Sequence, residues 1–322
     1  MNKEKTLKGT SAFSVFMKKN AAIIGALILF CVVLSFMSEN FLTEGNIMSL
    51  LRQVSTNAFL TLGMMLCIII GGIDIGLGAY VALSGTVTAV CITNIGMPIP
   101  IAIILGILSC VLCGLTNGML IAYIQVPAFI ATMAIMNVAR GAAYLATNAE
   151  PVRVTSTAYS QIGIGRLWVI PYPVIYTIIA IIVMALFMNK TRMGRYIYSV
   201  GGNIEAARYS GINIKAVQIS VHCISGFMAG IAGIILSARM YSGQPAVAQG
   251  YELDAVAASV LGGISLTGGS GSVISAMIGV LIIGVLQNGL ALMNVNSFWQ
   301  LIAKGVVILI AVSIDMLRQR KK

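Results

Sequence analysis

The chain has 322 residues, of which 58% are hydrophobic and 9% charged, whereas soluble globular domains carry roughly 25% charged residues. With a mean hydropathy of +0.97, too few charged side chains are present to cover soluble domains, so the bilayer is the expected solvent. At ~20 apolar residues per span, the length accommodates about ten helices and no appended soluble domain.

Lys and Arg number 20 against 9 Asp and Glu. The basic residues gather at Lys3, Lys5, Lys8, Lys18 and Lys19, between Lys190 and Lys215, and at Arg318, Arg320, Lys321 and Lys322. Each cluster abuts a long apolar run, so they read as cytoplasmic segments and not as a nucleic-acid surface. The expected organisation is a basic leader at 1–20, a single transmembrane domain at 21–316 with a cytoplasmic loop at 190–215, and a basic tail at 317–322.

The first apolar run, Ala21 to Met37, is followed by Ser38, Glu39 and Asn40, without a small-residue cleavage site, and reads as an uncleaved first helix starting in the cytoplasm. Further runs lie at about 53–70, 77–93, 98–124, 127–147 and 167–188, before the basic loop. Beyond it come runs at about 217–239, 253–265, 272–292 and 298–316. An even number of spans on each side of the loop places both termini and the loop in the cytoplasm, in agreement with the charge pattern. The fold class expected is an all-α membrane protein of about ten transmembrane helices, some broken by glycine.

A near repeat, Gly71-Gly72-Ile73-Asp74-Ile75 and Gly262-Gly263-Ile264-Ser265-Leu266, interrupts two of the runs. Broken helices at membrane depth survive only where protein or a water-filled cavity satisfies the freed backbone, so Gly71, Gly72, Gly262 and Gly263 are candidate elements of a lining. A tight turn between consecutive spans is the alternative reading. Gly114 with Gly118 and Gly226 with Gly230 suit close helix packing.

Polar groups at membrane depth are costly unless paired or wetted, and few are present: Asn57, Asp74, Asn117, Asn137, Arg140, Gln218, His222, Gln287, Asn288 and Lys304. Asn57, Asp74, Asn117, Arg140, Gln287 and Asn288 are candidates for a substrate path or its gating. Neutral amides hydrogen-bond hydroxyl-rich solutes at less burial cost than charges, although they serve equally as interhelical glue. Asp74, among glycines, fits bracing of the helix break better than direct substrate contact. Arg140 and Lys304 either snorkel to an interface or pair with a carboxylate. Trp168, Phe298 and Trp299 stand at span ends as interface anchors.

Chemistry is otherwise sparse. The six cysteines lie in or beside apolar stretches, and the Cys110-x-x-Cys113 pair has neither a second pair nor a nearby histidine to suit a metal. There is no GxxxxGK[ST] phosphate loop, HExxH or GxSxG motif. No catalytic residue, metal or cofactor is expected in the chain.

The basic loop carries Gly201-Gly202-Asn203-Ile204-Glu205-Ala206-Ala207-Arg208-Tyr209-Ser210-Gly211-Ile212. Asn203 suits an N-cap, Glu205 the positive first turn, Ala206 and Ala207 the helix body, and Gly211 a left-handed C-terminal cap. Together they describe a short capped helix, with an ordinary connecting loop as the alternative.

Glu205-Ala206-Ala207 followed by Gly211 resembles the EAA motif of ABC import permeases. Gly71-Gly72-Ile73-Asp74, Ala128-Phe129-Ile130-Ala131-Thr132, Arg140-Gly141, Thr147-Asn148, Gly194-Arg195-Tyr196-Ile197-Tyr198 and Gly250-Tyr251-Glu252-Leu253-Asp254-Ala255 resemble the ribose and xylose branch of sugar permeases, in family order from about residue 40 to 316. Galactose-type relatives carry a different residue before the aspartate, so Gly72-Ile73-Asp74 favours the ribose side. Departures are Ile75-Gly76, where the family often has Leu-Ser, and Glu150 in place of a small neutral residue.

The resemblance implies a permease subunit in a bacterial cytoplasmic membrane, a homodimer surrounded by lipid. It would pass a monosaccharide delivered by an extracytoplasmic sugar-binding protein. A separate cassette ATPase, carrying ATP and Mg, would dock on Asn203, Glu205, Ala206, Ala207, Arg208 and Gly211. The alternative is an ion-gradient-driven secondary transporter of a small polar solute, for which Asp74 is almost the sole carrier at depth.

Overall fold

The computed structural model describes residues 12–319. Lys3, Lys5, Lys8, Arg320, Lys321 and Lys322, and with them most of the expected leader and tail, lie outside the described residues. Within them the chain is helical almost throughout: α1 (Ala12–Met37), α2 (Glu44–Ile69), α3 (Leu77–Thr93), α4 (Ile99–Met119), α5 (Ala128–Thr147), α6 (Thr157–Ile164), α7 (Tyr172–Lys190), α8 (Arg192–Gly202), α9 (Ile204–Tyr209), α10 (Ile214–Met240), α11 (Tyr251–Leu261), α12 (Val273–Leu292) and α13 (Ser297–Gln319). Strands are confined to two-residue pairs. β1 (Val152–Arg153) pairs antiparallel with β4 (Ser242–Gly243), and β2 (Arg166–Leu167) with β3 (Ile170–Pro171).

Burial sorts the helices into an inner and an outer set. On α2 every residue from Val54 to Ile69 is buried, the polar Ser55, Thr56, Asn57 and Thr61 included, so protein surrounds this part of the helix on all faces. α10 and α12 are likewise central, with 67% of their apolar windows buried, against 22% for α4 and α5 and 28% for α7. The outer set shows apolar stripes to its surroundings, such as Ile101, Ile104, Leu108 and Leu112 on α4 and Ile178, Ile179, Ile182 and Val183 on α7. Such stripes are at home in lipid or against another subunit, not in water.

α10 is the mast of the bundle, in contact with α2, α3 and α4. Its seam with α4 is made by the glycines singled out above. A methyl group on Gly118 would come 2.6 Å from Ile219 Cα, and one on Gly230 would come 3.0 Å from Ile107 Cα. Gly114 and Gly226 meet the backbones of His222 and Cys110 in the same way. Small residues thus let the two helix backbones approach closely.

Every predicted apolar run contains a helix, although the run at 167–188 opens in the β2–β3 pair and α7 starts only at Tyr172, and the runs are not equal. Among the described residues five helices are long and apolar enough to cross a membrane: α4 with the π-helical turn Leu120–Ile124 that extends it, α5, α7, α10 and α12. α11, in the run predicted at 253–265, has 11 residues, which rise only about 16 Å, and so it reaches part-way and stops at the second glycine break. The basic loop at 190–215 holds two helices, α8 and α9, where one was expected. α8 starts at Thr191, whose side chain accepts from Gly194 N.

The two glycine breaks are the same device. Gly71 N–H donates to Ile68 O and Gly72 N–H to Cys67 O, with Gly71 at φ +84°. Gly263 N–H donates to Val260 O and Ile264 N–H to Ser259 O, with Gly263 at φ +79°. Both are Schellman caps with a left-handed glycine. The structural partner of Gly71 is therefore Gly263 and not Gly262, one residue off the pairing read from the repeated sequence.

Candidate functional site: polar chambers and an exposed capped helix

α10 runs from the end that carries α9 to the end that carries the β1–β4 pair. At the β1–β4 end, between α2, α11, α12 and α13, lies a chamber of about 440 Å³ lined by Asn46, Ser49, Gln53, Tyr251, Gln287, Asn288, Ala291, Leu292, Gln300 and Lys304. A second chamber of about 160 Å³, lined by Gln53, Thr56, Asn57, Leu236, Arg239 and Tyr251, shares Gln53 and Tyr251 with it. Polar side chains at i, i+3, i+7 and i+11 put Asn46, Ser49, Gln53 and Asn57 of α2 on one helix face. That face continues from the first chamber into the second.

The lining is cross-braced by its own hydrogen bonds. Asn46 and Asn288 bond reciprocally, Nδ2 to Oδ1, at 3.0 and 2.7 Å. Gln53 Nε2 donates to Gln287 Oε1 at 2.8 Å, and Gln287 Nε2 donates to Asp254 Oδ2 at 2.9 Å. Lys304 Nζ stands 3.0 Å from the same Asp254 oxygen. Lys304 is thus paired with a carboxylate, which decides between the two readings of that residue.

Of the six residues expected to line or gate a path, Asn57, Gln287 and Asn288 reach these chambers. Asp74, Asn117 and Arg140 do not. Asp74 is fully buried, with Oδ1 accepting from Gly76 N at 3.1 Å and Oδ2 from Ser225 Oγ at 3.0 Å, which ties the first break to α10. Asn117 donates to Tyr80 Oη at 2.6 Å, and its Oδ1, like Nε2 of buried His222, has no hydrogen-bond partner among the described residues. Arg140 Nη1 donates to the carbonyls of Pro245 and Val247, both at 2.7 Å, and so fastens the α10–α11 connection to α5. Asn137 bonds back to Met133 O on its own helix.

Sequence reasoning missed Asn46 and Gln53, and it named Tyr251 and Asp254 within a family motif without assigning them to a site. The spacing of Asn46, Gln53 and Asn57 was available, and the aspartate at the start of the run at 253–265 could have been matched to the lone lysine of the last run.

At the opposite end α9 is built as its residues imply. Asn203 Oδ1 accepts from Ala206 N at 2.9 Å. Gly211, at φ +78°, closes the helix with Gly211 N–H to Arg208 O and Ile212 N–H to Ala207 O. Glu205 and Arg208 form an exposed pair at 3.0 Å, Ala207 is buried as the foot of the helix, and Tyr209 is 88% exposed. Beside α9 a groove of about 550 Å³ runs between Ile204, Arg208 and Lys215 and the turn Gln125–Ala128. Lys215 Nζ lies 4.4 Å from the centre of the Tyr123 ring.

The arrangement joins an open polar cleft within an apolar helical body to a capped, exposed helix at the far end, and no group of three or more metal-ligating side chains occurs among the described residues. Comparison with known proteins agrees. A family model described as "Branched-chain amino acid transport system / permease component" matches residues 46–312. The ribose import permease protein RbsC of Bacillus subtilis (strain 168) is 42% identical over 305 residues, covering 94% of each chain. The protein of the same name from Escherichia coli (strain K12) is 40% identical over 319 residues, 98% of this chain and 99% of that one. The xylose transport system permease protein XylH of Escherichia coli (strain K12) is 34% identical over 361 residues, covering 93% of this chain and 92% of that one. No solved structure matches the chain. The extent of the family match and of these likenesses makes this chain a member of that permease family, a multi-pass membrane subunit of a transport system.

Proposed function

We propose that this chain is the permease subunit of an ATP-driven importer of a monosaccharide, ribose first, in the bacterial cytoplasmic membrane. The observation that carries the reading is the pair of linked polar chambers, whose amides and lysine belong at membrane depth only if water or a polar solute reaches them. The names of the ribose and xylose permeases that cover nearly the whole chain point to the same class of solute.

In this reading the α9 end and both termini face the cytoplasm, and α1, α2, α3, α4, α5, α7, α10, α11, α12 and α13 make about ten crossings, with α11 a partial one. An extracytoplasmic sugar-binding protein delivers solute at the β1–β4 end. A cassette ATPase, which holds ATP and Mg, grips α9 around Glu205, Ala206, Ala207 and Arg208. A second copy of the chain completes the path, because the polar cleft of one copy cannot face lipid. Gly71 and Gly72 end α2, Gly262 and Gly263 end the short α11, and these ends let the bundle change between two arrangements, while Asp74, Asn117 and Arg140 hold the walls. Asn57 and Asn288 meet the solute, and Gln287 in the chamber wall aims the groups beside it.

Uptake of radiolabelled ribose into proteoliposomes that contain this chain, its ATPase and its binding protein tests the reading. Uptake that needs all three components and hydrolysable ATP is expected. Ribose uptake by this chain alone, driven by an ion gradient, overturns it.

A further inference from the structure

Four polar side chains from four helices form one continuous chain at the larger chamber: Gln53 to Gln287 to Asp254, and Lys304 to the same Asp254 oxygen. Gln53, Gln287 and Lys304 line the cavity, whereas Asp254 does not and is 3% exposed. A buried carboxylate therefore holds, from behind, the groups that face the space. Among the described residues, Gln53 keeps a carbonyl oxygen and Lys304 two ammonium hydrogens without hydrogen-bond partners, so acceptor and donors are offered side by side. A hydroxyl group satisfies either, since it donates and accepts.

Charge narrows the solute further. The Asp254–Lys304 pair is neutral as a unit, and no other ionisable group than Tyr251 and Lys304 lines this chamber. An ionic solute gains no net attraction here while losing its hydration, so a neutral one is favoured. Eight of the ten lining residues carry a polar group, so hydrogen-bonding partners surround the space on several sides. The volume of about 440 Å³ lies within the roughly 300–1,000 Å³ of small-molecule sites.

We infer that this clasp is the permease's own specificity-determining contact for a neutral polyhydroxylated solute. Gln53 and Lys304 meet neighbouring hydroxyls, and Gln287 and Asp254 are positioning residues that aim them. The inference rests on the importer reading and adds to it that the permease, and not the binding protein alone, selects among sugars.

The test uses the full complex in proteoliposomes, with the binding protein saturated in turn by ribose and by 2-deoxy-, 3-deoxy- and 5-deoxyribose. Wild type is expected to move at least one deoxy sugar about tenfold more slowly than ribose, as one lost hydrogen bond predicts. In Gln53→Leu, and in the charge-neutral double variant Asp254→Asn with Lys304→Met, that ratio is expected to fall to about twofold. A purely structural role would slow every sugar alike, so ratios equal to wild type in variants that still co-purify with the ATPase overturn the clasp. So does a wild type without preference. A wild type with no ATP-dependent uptake of any sugar overturns the importer reading and the clasp together.

Discussion

Gly269 donates its backbone N–H to the carbonyl of Ile69 at 2.8 Å, so the last residue of α2 and the loop after the second glycine break are tied to each other directly. Gly201, near the end of α8, packs on the same two residues: a methyl group there would overlap the Ile69 carbonyl and lie 2.7 Å from Gly269 N. Both breaks and the segment that leads into α9 thus meet backbone to backbone. A displacement of α8 would therefore bear on the ends of both breaks without any intervening side chain.

Gly201→Ala tests this junction. Gly201 has no positive φ, so the substitution acts through space and not through backbone strain. A close-packed contact has no slack for a methyl group, and overpacking costs about 1–3 kcal/mol. The expected outcome is a fall in ATP-dependent uptake of about tenfold or more with the ATPase still co-purifying. Undiminished uptake would show that the junction transmits nothing.

Gly211→Val addresses the docking helix itself. At φ +78° a β-branched residue is strained, by roughly 1–2 kcal/mol, and the Schellman cap of α9 opens. Glu205→Arg leaves the cap alone. The exposed Glu205–Arg208 pair adds little to stability, so reversal changes the surface presented to a partner more than the fold. Both variants are expected to insert normally and to lose the ATPase in pull-down. Retention of the ATPase by both removes α9 from the interface.

The Asp254–Lys304 pair sets a stability expectation distinct from its role in selectivity. Lys304→Met leaves a carboxylate that is 4% exposed at its side chain with only Gln287 to satisfy it. Breaking a buried pair from one side costs several kcal/mol, here taken as about 2 because Lys304 is partly wetted. Adding Asp254→Asn removes the stranded charge and is expected to recover more than half of the loss. Thermal unfolding in detergent of the two single variants and the double one measures the coupling, and additive losses would argue against it.

How far the sequence could be read depended on how local each feature was. The cap of α9 depends on residues within one turn of each other, so Asn203 and Gly211 were legible to the atom. The polar face of α2 was equally local, and only Asn57 was noticed on it because Asn46 and Gln53 fell outside or at the edge of the apolar run. Lys304 was recognised as costly, but its partner lies 50 residues away on another helix, and no periodicity connects them. The glycine repeat was visible, yet its alignment was off by one, because sequence likeness follows residue names while the left-handed position follows the end of each helix.

Asp74 offers the sharpest separation between an ATP-driven and a gradient-driven transporter. It touches neither chamber and is fully buried, held by Gly76 N and Ser225 Oγ. Asp74→Asn keeps an amide oxygen for Gly76 N, and its NH2 group can donate to Ser225 Oγ once that hydroxyl turns to accept, so the brace survives with weaker, uncharged bonds. In an importer powered by its ATPase, uptake is expected to stay within about threefold of wild type once scaled to folded protein, the cost of one or two weakened hydrogen bonds being about 1 kcal/mol. A carrier that moves a proton through Asp74 would instead lose all gradient-driven uptake while remaining folded, since Asn cannot take up and release a proton. Uptake assays with ATP inside, or with a proton gradient and no ATP, separate the two, and complete loss in a folded Asp74→Asn protein would return the gradient-driven reading to first place.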